Sequence, residues 1–243
     1  MSMSEMNSPT VVLVHGSFAD ASSWAGVTER LEKASVPVRA IVNPLRGVSA
    51  DSAYVASALD QIPGPVLAVG HSYGGAVITN AATNAKNVVG LVYVAGFAPD
   101  EGESLGDIVA TSKDSILMPA VQETSYPTGQ GSQTASEFAI DPTRFHEVFT
   151  GDLPQDQSDV LAVSQRPASA ATLTEQSGPP AWKNLSSWAV VGTADKTIGT
   201  DAVRSMAQRA GADITEVNSS HVVMISQPDA VTDVIMNALR TVS

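Results

Sequence analysis

The 243-residue sequence predicts an α/β protein: a mainly parallel central sheet with helices on both faces and an inserted helical cap. Three observations lead there. Short β-branched runs alternate with stretches of helical periodicity through the first hundred residues. The pattern breaks between about residues 99 and 180, where Ser, Thr, Pro, Gly and Gln are abundant. It then resumes as strand, helix, strand and terminal helix.

Residues 11–14 are a Val-Val-Leu-Val run, suited to a strand buried on both faces, and His15 and Gly16 end it. Residues 22–34 set Trp24, Val27, Leu31 and Ala34 at helical spacing. Residues 36–42 read as the next strand, closed by the Asn43-Pro44 turn signal. A broad apolar stripe of Ala53, Val55, Ala56 and Leu59 predicts a helix over 50–62. A buried strand follows at 65–69, a turn at 70–75, a helix at 76–85 and a strand at 88–95. In the middle region only 144–149 and 158–165 read as helical, and Gly129-Gln130-Gly131 reads as a flexible loop. Strands are then expected at 187–191 and 213–217, with helices at 200–210 and 228–241. Asp229 in the first turn of that last helix and Arg240 near its end complement the helix dipole. The expected organisation is a disordered extension over 1–9, a core built from 10–98 and 181–243, and a cap or lid over 99–180.

Composition narrows the function. Thirteen Lys and Arg stand against 25 Asp and Glu, a formal net charge of -12. Such a surface repels polyanions, so nucleic acid and anionic membranes are not expected partners. There is no Cys, which excludes disulfides, zinc-thiolate sites and a cysteine nucleophile. Residues 1–10 lack a basic segment followed by an apolar run, so no signal peptide is expected. The most apolar stretch, 65–82, is interrupted by glycines, His71, Thr79 and Asn80 and is not expected to span a bilayer. A cytoplasmic location is the expectation. Neither Gly-x-x-x-x-Gly-Lys-Ser/Thr nor a Gly-x-Gly-x-x-Gly between strand and helix is present, which argues against nucleotide binding.

One segment carries chemistry. Gly70-His71-Ser72-Tyr73-Gly74 is a Gly-x-Ser-x-Gly motif between an expected strand and an expected helix. A serine on that sharp turn takes strained backbone angles, and its hydroxyl is lifted above the sheet edge. The helix N-terminus and the Tyr73 N–H then lie beside any oxyanion formed there. Serine needs an adjacent base. Of His15, His71, His146 and His221, only the last two follow Ser72, and only His221 sits on a core strand-to-helix loop. The orienting acid belongs between Ser72 and His221 in chain order. Asp195, after the strand and turn at 190–194, is the favoured candidate; Asp100, following the strand that ends at Ala95, is the rival. The loop after the first strand offers the Ser17 N–H as a second oxyanion donor, with Phe18 walling the substrate site.

Val-His-Gly-Ser-Phe at 14–18, Gly-His-Ser-Tyr-Gly-Gly at 70–75, Gly-Thr-Ala-Asp-Lys at 192–196 and Ser-His-Val-Val-Met at 220–224 resemble the α/β-hydrolase superfamily. The likeness is to its small bacterial esterase-like members and, more distantly, to plant methylesterases and hydroxynitrile lyases. It spans Thr10 to about Leu239. It implies a Ser72–His221–Asp195 triad, an oxyanion hole from Ser17 and Tyr73, a cap, and no cofactor. Cyanohydrin-cleaving relatives carry Lys directly after the triad His, where this chain has Val222, so cyanide release is not expected.

The expected activity is hydrolysis of small, fairly apolar carboxylic esters through an acyl-enzyme. Lactone, amide or peracid chemistry by the same triad stands beside it. Phe145, Phe149 and Trp182 are the candidates for setting that choice. A non-catalytic ligand-binding protein on the same fold is the alternative of another class. The expected partner is a small-molecule ester, with a homodimer left open.

Overall fold

A computed structural model describes residues 8–242. Residues 1–7 of the expected N-terminal extension lie outside the described residues; Pro9, its last residue, is buried.

The central sheet has six parallel strands: β1 (Thr10–Val14), β2 (Val38–Ile41), β3 (Val66–His71), β4 (Val88–Val94), β8 (Ser187–Gly192) and β9 (Asp213–Val217). Their order is β2-β1-β3-β4-β8-β9. Every pairing in this sheet is parallel, from Val11 opposite Val38 at one edge to Trp188 opposite Asp213 at the other. The burial pattern follows position. β3 and β8 are buried along their whole length, and β2 and β9 at the edges are only half-buried. That is why the inner strands read as continuous apolar runs.

Helix α1 (Ala25–Lys33) packs against α10 (Pro228–Val242), and α2 (Val48–Asp60) packs against α3 (Tyr73–Ala81). The connection from β1 to β2 runs one way across the sheet, and those from β2 to β3 and β3 to β4 run the other. Right-handed crossovers therefore put α1 and the α2–α3 pair on opposite faces. The chain order reverses between β1 and β3. Ligands of such sheets bind at that switch, beyond the carboxyl ends of the strands.

The segment between β4 and β8 differs from the helical cap expected. It holds helices α4 (Leu105–Thr111), α5 (Phe145–Val148), α6 (Gln155–Ser164) and α7 (Ala171–Thr174). It also holds a second, antiparallel sheet of β5 (Val121–Pro127), β6 (Thr134–Ile140) and β7 (Ala168–Ser169). β5 and most of β6 are exposed or half-buried, so apolar alternation is weak and the strands left little periodic trace. Gly129 and Gly131 lie in the loop joining β5 to β6, both at positive φ, +81° and +63°.

After β8, α8 (Thr200–Arg209) leads to β9, and a short helix α9 (Val223–Ser226) precedes α10. Among the described residues no helix is long and apolar enough to cross a membrane.

Candidate active site

Four loops leave the carboxyl ends of β1, β3, β8 and β9, and each carries one of the residues singled out from the sequence: Ser17, Ser72, Asp195 and His221. Ser72 is the one residue between β3 and α3. Its backbone sits at φ 52°, ψ -124°, outside the comfortable region for a side chain. Such a conformation costs about 1–3 kcal/mol and persists only where its surroundings enforce it. Here the Ser72 N–H donates to Val94 O at 3.3 Å, and its carbonyl accepts from Gly75 N at 2.9 Å and Phe97 N at 3.1 Å. Close packing requires glycine nearby. A Cβ on Gly16 would stand 2.5 Å from Ser72 Cβ and 3.1 Å from its Oγ, and a Cβ on Gly74 would strike the Val14 carbonyl.

His221 is fully buried, and its Nδ1–H donates to Asp195 Oδ2 at 2.8 Å. The other Asp195 oxygen accepts from Thr197 N at 2.8 Å and Ile198 N at 3.1 Å. Three donors thus fix the carboxylate, which orients the imidazole with Nδ1–H toward Asp195 and Nε2 on the opposite side of the ring. Nε2 is buried and has no hydrogen-bond partner, Ser72 Oγ included. Asp100 does not join this group. It pairs with Lys183 at 2.6 Å on the surface. His146 donates to the Leu153 carbonyl instead.

Tyr73 is the first residue of α3, so its N–H has no acceptor within the helix. The Ser17 N–H likewise makes no hydrogen bond to the described residues, whereas the next one, Phe18 N–H, is taken by Arg166 O at 3.1 Å. His15 steadies this loop. Its Nδ1–H donates to Gly16 O at 2.8 Å and its Nε2 accepts from Asn43 N at 2.9 Å. Burial holds the His15 pKa below the usual histidine value, consistent with that neutral tautomer.

Sequence reasoning missed three participants. His71, set aside as the base because it does not follow Ser72 in chain order, lies beside His221. Its ring lies 4.8 Å from that of His221, and its Nε2–H donates to the His221 carbonyl at 3.1 Å. Burial, and then the neighbouring His221, push its pKa well below the ordinary value, so it adds no positive charge beside the base. Asp51, fully buried on α2, accepts the Tyr73 hydroxyl at 2.7 Å. Asp152 from the segment between β4 and β8 accepts from the Ser220 hydroxyl, one residue before His221. Only a charged side chain inside an otherwise apolar helical stripe hinted at the Asp51 contact, and nothing local marked the others.

Phe18 and Phe149 meet edge to face, with centroids 6.1 Å apart, and Phe149 also stacks near His221 at 5.1 Å and Phe145 at 5.0 Å. Trp182 is elsewhere; its Nε1–H donates to Pro99 O at 3.0 Å. Leu105, Leu117, Phe138 and Leu173 close an apolar pocket over Ser72, Ser17 and Tyr73. Among the described residues no group of three or more His, Asp and Glu side chains is placed to hold a metal ion.

A strained serine at a strand-to-helix turn, an oriented buried histidine and a parallel sheet with a covering insert define the hydrolase class of α/β proteins. The family model described as "Alpha/beta hydrolase family" matches residues 11–234, and the chain belongs to that family. Its structure is similar to polyneuridine aldehyde esterase, at 19% identity and TM-score 0.79 over 96% of this chain and 99% of that one. It is similar to a pyrethroid hydrolase from Sphingobium faniae JZ-2, at 18% identity and TM-score 0.78 over 96% and 97%. It also resembles tomato methylketone synthase I, at 17% identity and TM-score 0.77 over 97% and 99%. At these identities the likeness establishes the fold. No curated protein matches the chain by sequence.

Proposed function

We propose that this hydrolase is a serine esterase that cleaves small, fairly apolar carboxylic esters through an acyl-enzyme. One observation carries the reading: the buried His221–Asp195 pair at 2.8 Å, with Nε2 left free on the sheet edge that also bears Ser72. In the proposed reaction Ser72 Oγ attacks the ester carbonyl while His221 Nε2 takes its proton. The carbonyl oxygen becomes an oxyanion facing the Ser17 and Tyr73 N–H groups. Each such donor is worth about 3–4 kcal/mol in the transition state. The C–O bond then breaks, its electron pair leaves with the alcohol oxygen, and that oxygen takes the proton from Nε2. Water, activated by the same histidine, releases the acid. Asp195 keeps the tautomer and stabilises the imidazolium. The apolar lining by Leu105, Leu117, Phe138 and Leu173 supports an apolar acyl group and a capping role for the segment over residues 99–180.

The test is turnover of short-chain p-nitrophenyl esters by the wild type and Ser72→Ala, with fluorophosphonate labelling of the folded protein. Labelled wild type with ester turnover, and an inert variant, are expected. Equal turnover by both proteins sinks the reading, and an unlabelled, inactive wild type favours a ligand-binding protein instead. Lactones, amides and peroxide with a carboxylic acid in the same panel separate the related chemistries.

A further inference from the structure

The free space over Ser72 is small, about 20 Å³. A second cavity of about 310 Å³ lies on the far side of Phe18, which lines both. That volume falls in the range of small-molecule sites. Its walls include Phe18, Phe145, Phe149, Leu161 and Met224. Phe18, in edge-to-face contact with Phe149, is thus a wall shared by the two cavities.

Reaction geometry assigns the two sides. Ser17, Ser72 and Tyr73 all line the small pocket, and on that ground the carbonyl and acyl group are assigned to it. The departing oxygen must receive its proton from His221 Nε2, so the alcohol part leaves on the histidine side. Phe149 touches the His221 ring, and Met224 follows His221 by three residues; both line the larger cavity. The walls are aromatic and aliphatic. The rim has neutral polar groups, Ser22, Ser23 and Gln157, and one acid, Asp20. The Ser22 hydroxyl and N–H, with a smaller contribution from the Arg166 charge, hold the Asp20 carboxyl below the usual carboxylate range, so the rim carries a carboxylate. No Lys or Arg lines the cavity.

We infer that the cavity beyond Phe18 is the subsite for the alcohol part of the substrate, opened by separation of Phe18 from Phe149, and that the preferred esters join a short acyl chain to a neutral aromatic alcohol. The inference rests on the esterase reading above. An anionic alcohol part is disfavoured by Asp20, and an acyl group larger than a few carbons by the small pocket.

Two acetate esters with alcohols of similar acidity, benzyl acetate and ethyl acetate, provide the probe. The wild type is expected to favour the benzyl ester in kcat/KM by about tenfold or more, the scale on which apolar pockets discriminate. Ala25→Trp and Ser164→Trp, at two exposed positions on the cavity rim, are each expected to lower the benzyl-to-ethyl ratio by about tenfold. Circular dichroism and fluorophosphonate labelling identify any variant that fails to fold, and the other variant then decides. Turnover of ethyl acetate with a ratio near one in the wild type, or unchanged in the folded variants, overturns the subsite alone. Loss of both turnovers in the wild type, with no labelling of Ser72, removes the esterase reading and the subsite together.

Discussion

The Tyr73 hydroxyl donates to Asp51 Oδ2 at 2.7 Å, and that carboxylate has no exposed surface. Its other donors are backbone N–H groups, Arg46 at 2.9 Å and Gly47 at 3.4 Å. The residue after Ser72 is thereby tied by its side chain to the N-terminal turn of α2. Tyr73→Phe deletes one donor to a buried charge and is expected to cost about 1–3 kcal/mol in urea unfolding. A midpoint unchanged from wild type would show that water replaces the hydroxyl.

Burial raises the Asp51 pKa, although Tyr73 and the Arg46 and Gly47 N–H groups oppose it. A carboxyl whose folded pKa lies above its unfolded value binds more protons in the folded state between the two. Ionisation therefore costs stability above the folded pKa, and the cost disappears as pH falls below the unfolded one. Wild type should gain stability relative to Asp51→Asn as pH falls from neutrality toward the ordinary carboxyl value of about 4. Urea unfolding of both proteins across that window measures the difference, in which the other carboxyls cancel. A flat difference would contradict the shift.

Asp152 behaves in the opposite sense. Burial alone would raise its pKa, but donors from Ser220, Ser226 and Ser219 prevail and lower it. Its contribution is present above the unfolded carboxyl value and lost as pH falls through the lower folded value. Asp152→Ala should therefore destabilise the protein near neutrality and approach wild type in acid. Since Asp152 bonds Ser220 beside His221, the variant should also lower kcat more than it raises KM.

Asp195→Asn preserves size but replaces a charge that holds the His221 N–H at 2.8 Å. The amide can present its NH₂ to Nδ1 and reverse the tautomer, putting the proton on Nε2. A loss in kcat of about 10⁴-fold with little change in KM is expected. Steady-state kinetics on a p-nitrophenyl ester checks it, and a loss below about tenfold would remove Asp195 from the proposed mechanism.

Gly16→Ala sets a methyl group 2.5 Å from Ser72 Cβ. The loop bearing Ser17 must then retreat from Ser72. Displacements of about 1 Å are enough for a loss of about 10²-fold in kcat/KM. The rate of fluorophosphonate labelling should fall in parallel, because the oxyanion donor moves with the loop.

Local pattern decided much of this molecule. The runs at 11–14, 65–69 and 187–191 announced buried strands because both faces of a parallel strand need apolar side chains. Gly-x-Ser-x-Gly was readable because the turn admits few residue types, and chain order nominated Asp195 and His221, which the fold brings to 2.8 Å. What tertiary structure alone decided lies at long separations. His71 reaches the His221 carbonyl across 150 residues and Tyr73 reaches Asp51 across 22, and no periodicity encodes either. The β5–β6 hairpin stayed hidden because strands with little buried face need no apolar alternation. Ser72, a serine in a glycine-rich turn by sequence, takes its strained φ of 52° from packing against Gly16 and from bonds to Val94, Gly75 and Phe97. The sequence by itself determined which residues are chemically able; the packing of distant segments decided which stand together and how much room they leave a substrate.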